Sequence, residues 1–289
     1  MKAGELHRGE DGLRCVRSGF WGFNSIGLVH GGEALVVDPG LTPGEIDTLA
    51  GSLDAPVGQV VLTHSHHDHI RGWQRFRGAS VVMPRVAADK RPEARKRILA
   101  AKQWLDGRLE VEDPDFAYPA ADRTFEKSSS LHVGELGVEL RFLPGHSDCT
   151  SIVWIPELRT VLSADYLVEP GLPYCRWRAR EFEEACATLQ AFCEENDVQR
   201  VVPSHNDWLH GGDSIRAAIG RERRYFELLR AAICEARDEG LPREQAEKLG
   251  VAAVRGWRSA EGQDVGRRER QDDDNAGRVA EEEYAARGR

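Results

Sequence analysis

Long apolar runs are missing. Nowhere in the 289 residues does a hydrophobic stretch approach the ~18–20 residues that a membrane-spanning helix needs, so no membrane partner is expected. The N-terminal stretch MKAGELHRGEDGLRC has no apolar core, and a secretory signal is read as absent. Cysteine is sparse and unpatterned. The six, at Cys15, Cys149, Cys175, Cys186, Cys193 and Cys234, form no C-x-x-C pair, which reads as reduced thiols in a cytoplasmic protein rather than a disulfide framework. An excess of positive charge is lacking too. A net charge of −9 and a pI near 5.6 give no global case for nucleic-acid binding. No internal repeat is visible. The rest is ordinary globular composition, 40% hydrophobic and 30% charged. The length allows one large domain, or one domain with an appendage.

Short apolar runs closed by turn residues suggest strands. Ile26–Val29 and Ala34–Val37 flank a His-Gly-Gly turn and end at Asp38-Pro39-Gly40, a hairpin pattern. A helix is expected over Pro43–Leu53. Strands follow at Val60–Leu62, Val81–Met83, Val138–Phe142, Ile152–Ile155, Thr160–Leu162 and Val201–Val202. Pro92 opens a helix with Ala94, Ile98, Ala101 and Leu105 at helical spacing. Residues 106–130 read as irregular. Phe182, Cys186, Leu189 and Cys193 fit one helix face. Asp213 is the expected N-cap of a long helix ended by Gly240 and Pro242, and a shorter helix runs to about Val254. The domains are expected at 1–212, 213–254 and 255–289. The last is nearly devoid of apolar residues and reads as a mobile tail.

Histidine is concentrated. Four of the ten lie in Thr63-His64-Ser65-His66-His67-Asp68-His69, directly after a strand. His64 and His66 can face the same side of an extended segment, because side chains alternate with period two. Asp68 and His69 lie in the turn beyond and can face the same cavity. Imidazole nitrogen and carboxylate oxygen suit Zn²⁺, and also Fe or Mn. His146, Asp165 and His205 share that context, each just past an apolar run. The repeated placement puts seven donors on one rim of a sheet sandwich.

This ordered set, H-x-H-x-D-H followed by a Gly-His, an Asp after a strand and a final His, resembles the dinuclear hydrolase branch of the metallo-β-lactamase superfamily. The glyoxalase-II-like members of that branch are the nearest in character. The resemblance covers roughly residues 19–210, including the hairpin ending at Asp38-Pro39-Gly40. It implies an α/β fold, an αββα sandwich with a helical C-terminal extension here. It implies two Zn²⁺, with Fe or Mn as alternatives. His64, His66 and His146 would hold the first, Asp68, His69 and His205 the second, and Asp165 would bridge them. The implied activity is hydrolysis of a small ester, thioester or lactone by a hydroxide held between the metals, with Asp68 orienting the nucleophile and His67 standing behind the ligands. Asp165 and His69 argue against the first class of true β-lactamases, which places a cysteine in the second site. The third class lacks the bridging aspartate. Three departures stand out: Asp148 and Cys149 follow the Gly-His, Ala164 replaces the usual glycine before the bridging Asp, and Tyr166 adjoins Asp165 instead of lying a turn beyond.

Other features admit two readings. Residues 85–102 carry seven Lys/Arg against Asp89 and Glu93, either a solvated helix face or a lid that steers an anionic small molecule. The lid motivates a phosphodiesterase or nuclease as an alternative. A mononuclear iron persulfide dioxygenase and a non-catalytic scaffold are the others. Trp208 and His210 are either pocket lining or packing. Tyr174, Trp177 and the C-terminal helices are structural elements, a substrate wall or a homodimer surface. Cys186 and Cys193 read as core residues, and His7, His30 and His132 as surface or turn residues.

Overall fold

The Gly-Gly turn makes its hairpin. β3 (Asn24–His30) and β4 (Glu33–Val37) pair antiparallel, with Ile26 opposite Val37 and His30 opposite Glu33. Gly31 and Gly32 take φ of 59° and 80°, the pair of positive values that a tight hairpin turn demands and side chains resist. The computed structural model of the protein describes residues 4–263 and 269–285.

After β4 the chain crosses over through α1 (Pro43–Ser52). Its start is closed by a capping box: the Thr42 hydroxyl accepts the Glu45 N–H, and the Glu45 carboxylate accepts the Thr42 N–H. The chain returns as β5 (Val57–Val61), parallel to β4, followed by parallel β6 (Ser80–Pro84) and β7 (Arg123–Phe125). β1 (Leu6–Arg8) and β2 (Leu13–Arg17) extend the other side antiparallel, so the first sheet runs β1 to β7 in order. The second comprises β8 (Ser128–Val133), β9 (Leu136–Phe142), β10 (Ser151–Ile155), β11 (Thr160–Ala164), β12 (Arg200–Pro203) and the short β13 (Leu209–His210). There β8 to β11 pair antiparallel and β11 pairs with β12 in parallel, so both sheets are mixed.

Period-two alternation decides which residues meet between the sheets. Leu35, Val37, Val61 and Val82 face Val138, Leu140, Val153, Leu162 and Val202 in one buried cluster. Val36, Val60, Leu62 and Met83 point the other way and pack with Ile46 and Leu49 of α1. Each such buried side chain contributes about 1.5–3 kcal/mol by leaving water.

The chain divides into two interleaved compact units. The first, residues 1–143, 149–164 and 198–209, carries both sheets, α1, α2 (Arg85–Ala88) and α3 (Pro92–Leu109). The second, residues 144–148, 165–197 and 210–289, carries α4 (Ala179–Glu195), α5 (Gly212–Asp238), α6 (Arg243–Ala260) and α7 (Glu269–Ala285). The architecture is thus the expected α/β sandwich of two mixed sheets with C-terminal helices.

Three expectations are corrected. Residues 106–130 are not wholly irregular, since α3 continues to Leu109 and β7 and β8 lie between 123 and 133. Asp213 is not the N-cap of α5. The helix starts at Gly212, and Asp213 sits in its first turn paired with Arg216. The run from Arg255 is not a mobile tail: α6 passes through it to Ala260, and α7 occupies 269–285. Few apolar residues are needed, because α7 buries Ala276, Val279 and Ala280 and makes charge pairs with other helices. Asp272 accepts from Arg258 at 2.6 Å and from Arg255 at 3.1 Å, and Glu283 pairs with Arg180, Arg230 and Arg237. The parts of that expectation at 264–268 and 286–289 lie outside the described residues.

Candidate metal centre

Asp38 organises the histidine motif. It follows β4 directly, with φ of 45°, and its carboxylate accepts the Thr63 N–H (2.9 Å), the Thr63 hydroxyl (2.6 Å) and the His69 Nδ1–H (2.8 Å). All three residues are buried. One carboxylate therefore ties the end of strand β5 to the far end of the turn that carries His64, His66 and Asp68. In the sequence Asp38 reads only as a strand terminator. The available signal was an acid placed immediately after a central apolar strand, where burial requires partners.

Within the first unit, His64 Nε2 lies 3.0 Å from His66 Nδ1, and His64 Nδ1 lies 3.0 Å from the Thr63 hydroxyl. Asp68, His69 and His205 offer donor atoms all within 4.8 Å of one another. Asp68 Oδ2 is 3.8 Å from His69 Nε2 and 3.5 Å from His205 Nε2. His205 Nδ1 donates to the Trp21 carbonyl at 3.2 Å. Its loop is held by Asn24, whose amide donates to the Pro203 and Asn206 carbonyls at 2.8 and 2.9 Å, and by Arg17, paired with Asp207 at 2.6 Å. Phe23 stands edge-on to His69 and His205, with ring centroids at 5.1 and 5.2 Å. Burial alone would push the Asp68 carboxyl up. The charges of His69 and His67 and the hydrogen bond with His205 outweigh it and hold the acid well below its ordinary range.

Within the second unit, His146 Nε2 lies 3.1 Å from Asp165 Oδ2. The His146 ring donates from Nδ1 to the Tyr174 carbonyl at 2.6 Å, and its backbone N–H donates to the buried Tyr166 hydroxyl at 3.0 Å. Gly145, at φ 150°, is required: a Cβ there would sit 2.8 Å from both Phe182 Cα and the Tyr166 oxygen. Ala164, just before Asp165, holds φ at 51°, a conformation that costs a non-glycine residue roughly 1–2 kcal/mol.

These donors suit a divalent cation. Two ligands on a tetrahedral ion at 2.0–2.1 Å stand about 3.3 Å apart, and the pairs above lie at 3.0–3.8 Å. His69, His146 and His205 each engage a protein oxygen through Nδ1. That fixes the tautomer and leaves Nε2 as the lone-pair donor, the usual arrangement behind metal-bound imidazoles.

Other singled-out residues have structural surroundings. His67 Nδ1 lies 3.6 Å from Asp68 Oδ1, behind the donor. Cys149 is buried against the Ser65 hydroxyl at 3.2 Å. Trp208 packs against the inter-sheet core and edge-on to His7 at 4.9 Å. The 85–102 segment splits into α2 and α3, and its Lys102 is buried between Asp106 and Asp113, both at 2.8 Å. None of the six cysteines forms a disulfide, and Cys186 and Cys193 are buried as expected. Among the described residues, no helix is long and apolar enough to cross a membrane.

Comparison with known proteins agrees with this arrangement. The family described as "Metallo-beta-lactamase superfamily" matches residues 19–214. A curated relative is the "Probable metallo-hydrolase YqgX" of Bacillus subtilis (strain 168), 26% identical over 149 residues, covering 52% of this chain and 68% of that protein. Among solved structures, a metallo-beta-lactamase family protein from Thermus thermophilus superposes with a TM-score of 0.60 at 18% identity, over 83% of this chain and 89% of that one. The stereoselective inverting sec-alkylsulfatase Pisa1 from Pseudomonas sp. gives 0.67 at 14% identity, over 96% of this chain and 50% of that one. These structural likenesses concern the fold alone.

Proposed function

The chain belongs to the metallo-beta-lactamase superfamily, and from that membership we propose that it is a metal-dependent hydrolase acting on a small ester, thioester or lactone. The carrying observation is the set of His/Asp donors whose remote imidazole nitrogens are already engaged by the protein. In this reading, which is what the family implies, His64, His66 and His146 would hold one cation, Asp68, His69 and His205 would hold a second, and Asp165 would serve both. Two divalent cations, zinc in the first instance, would supply Lewis acidity there, for polarising a carbonyl and bringing the ionisation of water toward neutral pH.

The protein's own residues do the rest. Asp38 holds His69 in one tautomer and so fixes where its Nε2 points. Trp21 does the same for His205 through its carbonyl, and Tyr174 for His146. Asp68 would accept a hydrogen bond from the attacking water and orient its lone pair toward the substrate. The name of the B. subtilis relative supports a hydrolase. Burial of Lys102 in a local ion network removes one charge from the lid reading that favoured phosphodiesters.

The test is a panel of thioesters, lactones, carboxylic esters and phosphodiesters assayed with zinc-, manganese- and iron-loaded protein. Turnover of a carbonyl substrate is expected, and Asp68→Ala should lower kcat by roughly 10²–10⁴-fold. Turnover of phosphodiesters alone, or parental kcat in the variant, contradicts the reading.

A further inference from the structure

The helix that ends the described chain reaches back to a proposed metal ligand. Asn275 of α7 is fully buried. Its side-chain oxygen accepts the Cys175 N–H at 2.9 Å, and its amide nitrogen donates to the Pro173 carbonyl at 2.7 Å. These two bonds bracket Tyr174, whose carbonyl accepts from His146 Nδ1 at 2.6 Å. The neighbouring Asp274 takes the Tyr174 hydroxyl at 2.7 Å. On the other side of the loop, the Arg176 N–H donates to the His146 carbonyl at 2.8 Å. Residues 173–176 thus grip His146 at its ring and its backbone, and α7 grips residues 173–175 at side chain and backbone.

Asn275 is anchored in turn. Its amide nitrogen also reaches the Tyr225 hydroxyl of α5 at 3.2 Å, and that hydroxyl donates to Asp272 at 2.9 Å. Asp272 receives Arg258 from α6. Asn275 is the one side chain in this network that bonds the backbone on both sides of the residue supporting His146. An amide is suited to that task, because it offers an acceptor and a donor in one plane. Neither an aliphatic residue nor a carboxylate can do both.

We infer that Asn275 is a positioning residue for the metal centre: through its two bonds to the 173–175 backbone, α7 sets the Tyr174 carbonyl and thereby aims His146 Nε2. The inference rests on His146 being a metal ligand. It gives the C-terminal helix a role in metal retention. Loss of a group supporting a ligating imidazole typically weakens metal binding by about 10–100-fold.

The test is zinc competition against a fluorescent chelator on the full chain, resolving the two binding steps. Asn275→Leu keeps the approximate volume and removes both bonds. Asn275→Asp keeps the acceptor for Cys175 and loses the donor to Pro173. The expected result is a 10–100-fold weakening of one step in Asn275→Leu, a smaller weakening of that step in Asn275→Asp, and the other step unchanged. The exposed-face variant Glu281→Ala should leave both steps at parental affinity. Far-UV circular dichroism establishes folding, and if the leucine variant does not fold, the aspartate variant alone decides. Parental affinity at both steps in a folded Asn275 variant overturns the proposal. His146→Ala belongs in the same titration. If it binds both zinc ions like the parent, the ligand assignment itself is wrong, and that failure is separate from one confined to Asn275.

Discussion

Asp38 contributes no donor to the proposed cations, yet it accepts from three groups of the metal-binding turn. Asp38→Ala leaves His69 Nδ1 and Thr63 buried without that acceptor. Breaking a buried charged contact of this kind costs about 3–5 kcal/mol, so the metal-free variant should unfold at markedly lower urea. Asp38→Asn retains volume and can still accept from one donor. It should weaken zinc binding by roughly 10–100-fold while losing less stability. Chelator competition and urea titration separate these effects. Gly145 makes a steric prediction. Its φ of 150° and the 2.8 Å approach of Phe182 Cα leave no room for a methyl group. Gly145→Ala should cost about 1–3 kcal/mol in thermal unfolding and lower zinc uptake by displacing His146. Both residues act on histidines without binding metal.

Among the elements, α3 depends on a small buried ion network. Asp106 forms ion pairs with Arg71 at 2.6 Å and with Lys102 at 2.8 Å, and Arg71 also donates to the Leu41 carbonyl at 2.7 Å. Arg71 lies two residues beyond His69, so the network ties α3 to the end of the metal-binding turn. Asp106→Ala leaves the buried Arg71 guanidinium without a carboxylate and Lys102 with Asp113 alone, and should destabilise the protein by about 3–5 kcal/mol, measured by denaturant unfolding. Asp106→Asn should fall between that variant and the parent. Which elements could be read from the chain follows from where their stability originates. The β3–β4 hairpin and β5 announce themselves, because their apolar residues come in short continuous runs and the hairpin turn carries two glycines. β1 and β8 contain His7-Arg8 and Ser128-Ser129-Ser130; hydrogen-bonded pairing to β2 and β9 makes them strands, and residue type does not reveal that pairing. α7 was hidden for a related reason. Its charges read as solvated in one dimension and become partners of Arg180, Arg230, Arg237 and Arg258 in three. The histidine and aspartate donors were legible through spacing and order. Asp38 and Asn275 were not, because each acts on a residue 31 or 100 positions away.

For the whole molecule, Glu222 sets a pH dependence unrelated to the proposed metals. It is buried in α5, and burial pushes its carboxyl up to about 8, against smaller downward contributions from the Leu167 N–H and the Cys186 thiol. The unfolded chain releases this proton near pH 4.5, the ordinary value, whereas the folded chain keeps it to about 8. Between those limits the folded state binds more protons, so stability falls as pH rises, by up to about 1.4 kcal/mol per unit. Glu222→Gln removes that dependence. Its stability relative to the parent should rise between about pH 5 and about 8 and level off above, as read by urea unfolding of metal-free protein. A constant difference across that range contradicts a neutral buried Glu222.

The central claim is that these histidines and aspartates hold two divalent cations for hydrolysis. Its most direct test is metal content per chain by elemental analysis, on protein purified without chelator and again after stripping and reconstitution. Two zinc ions per chain, falling to one or none in Asp165→Ala, are expected. A single iron per chain with oxygen consumption on a persulfide substrate, or no metal taken up on reconstitution, contradicts the account.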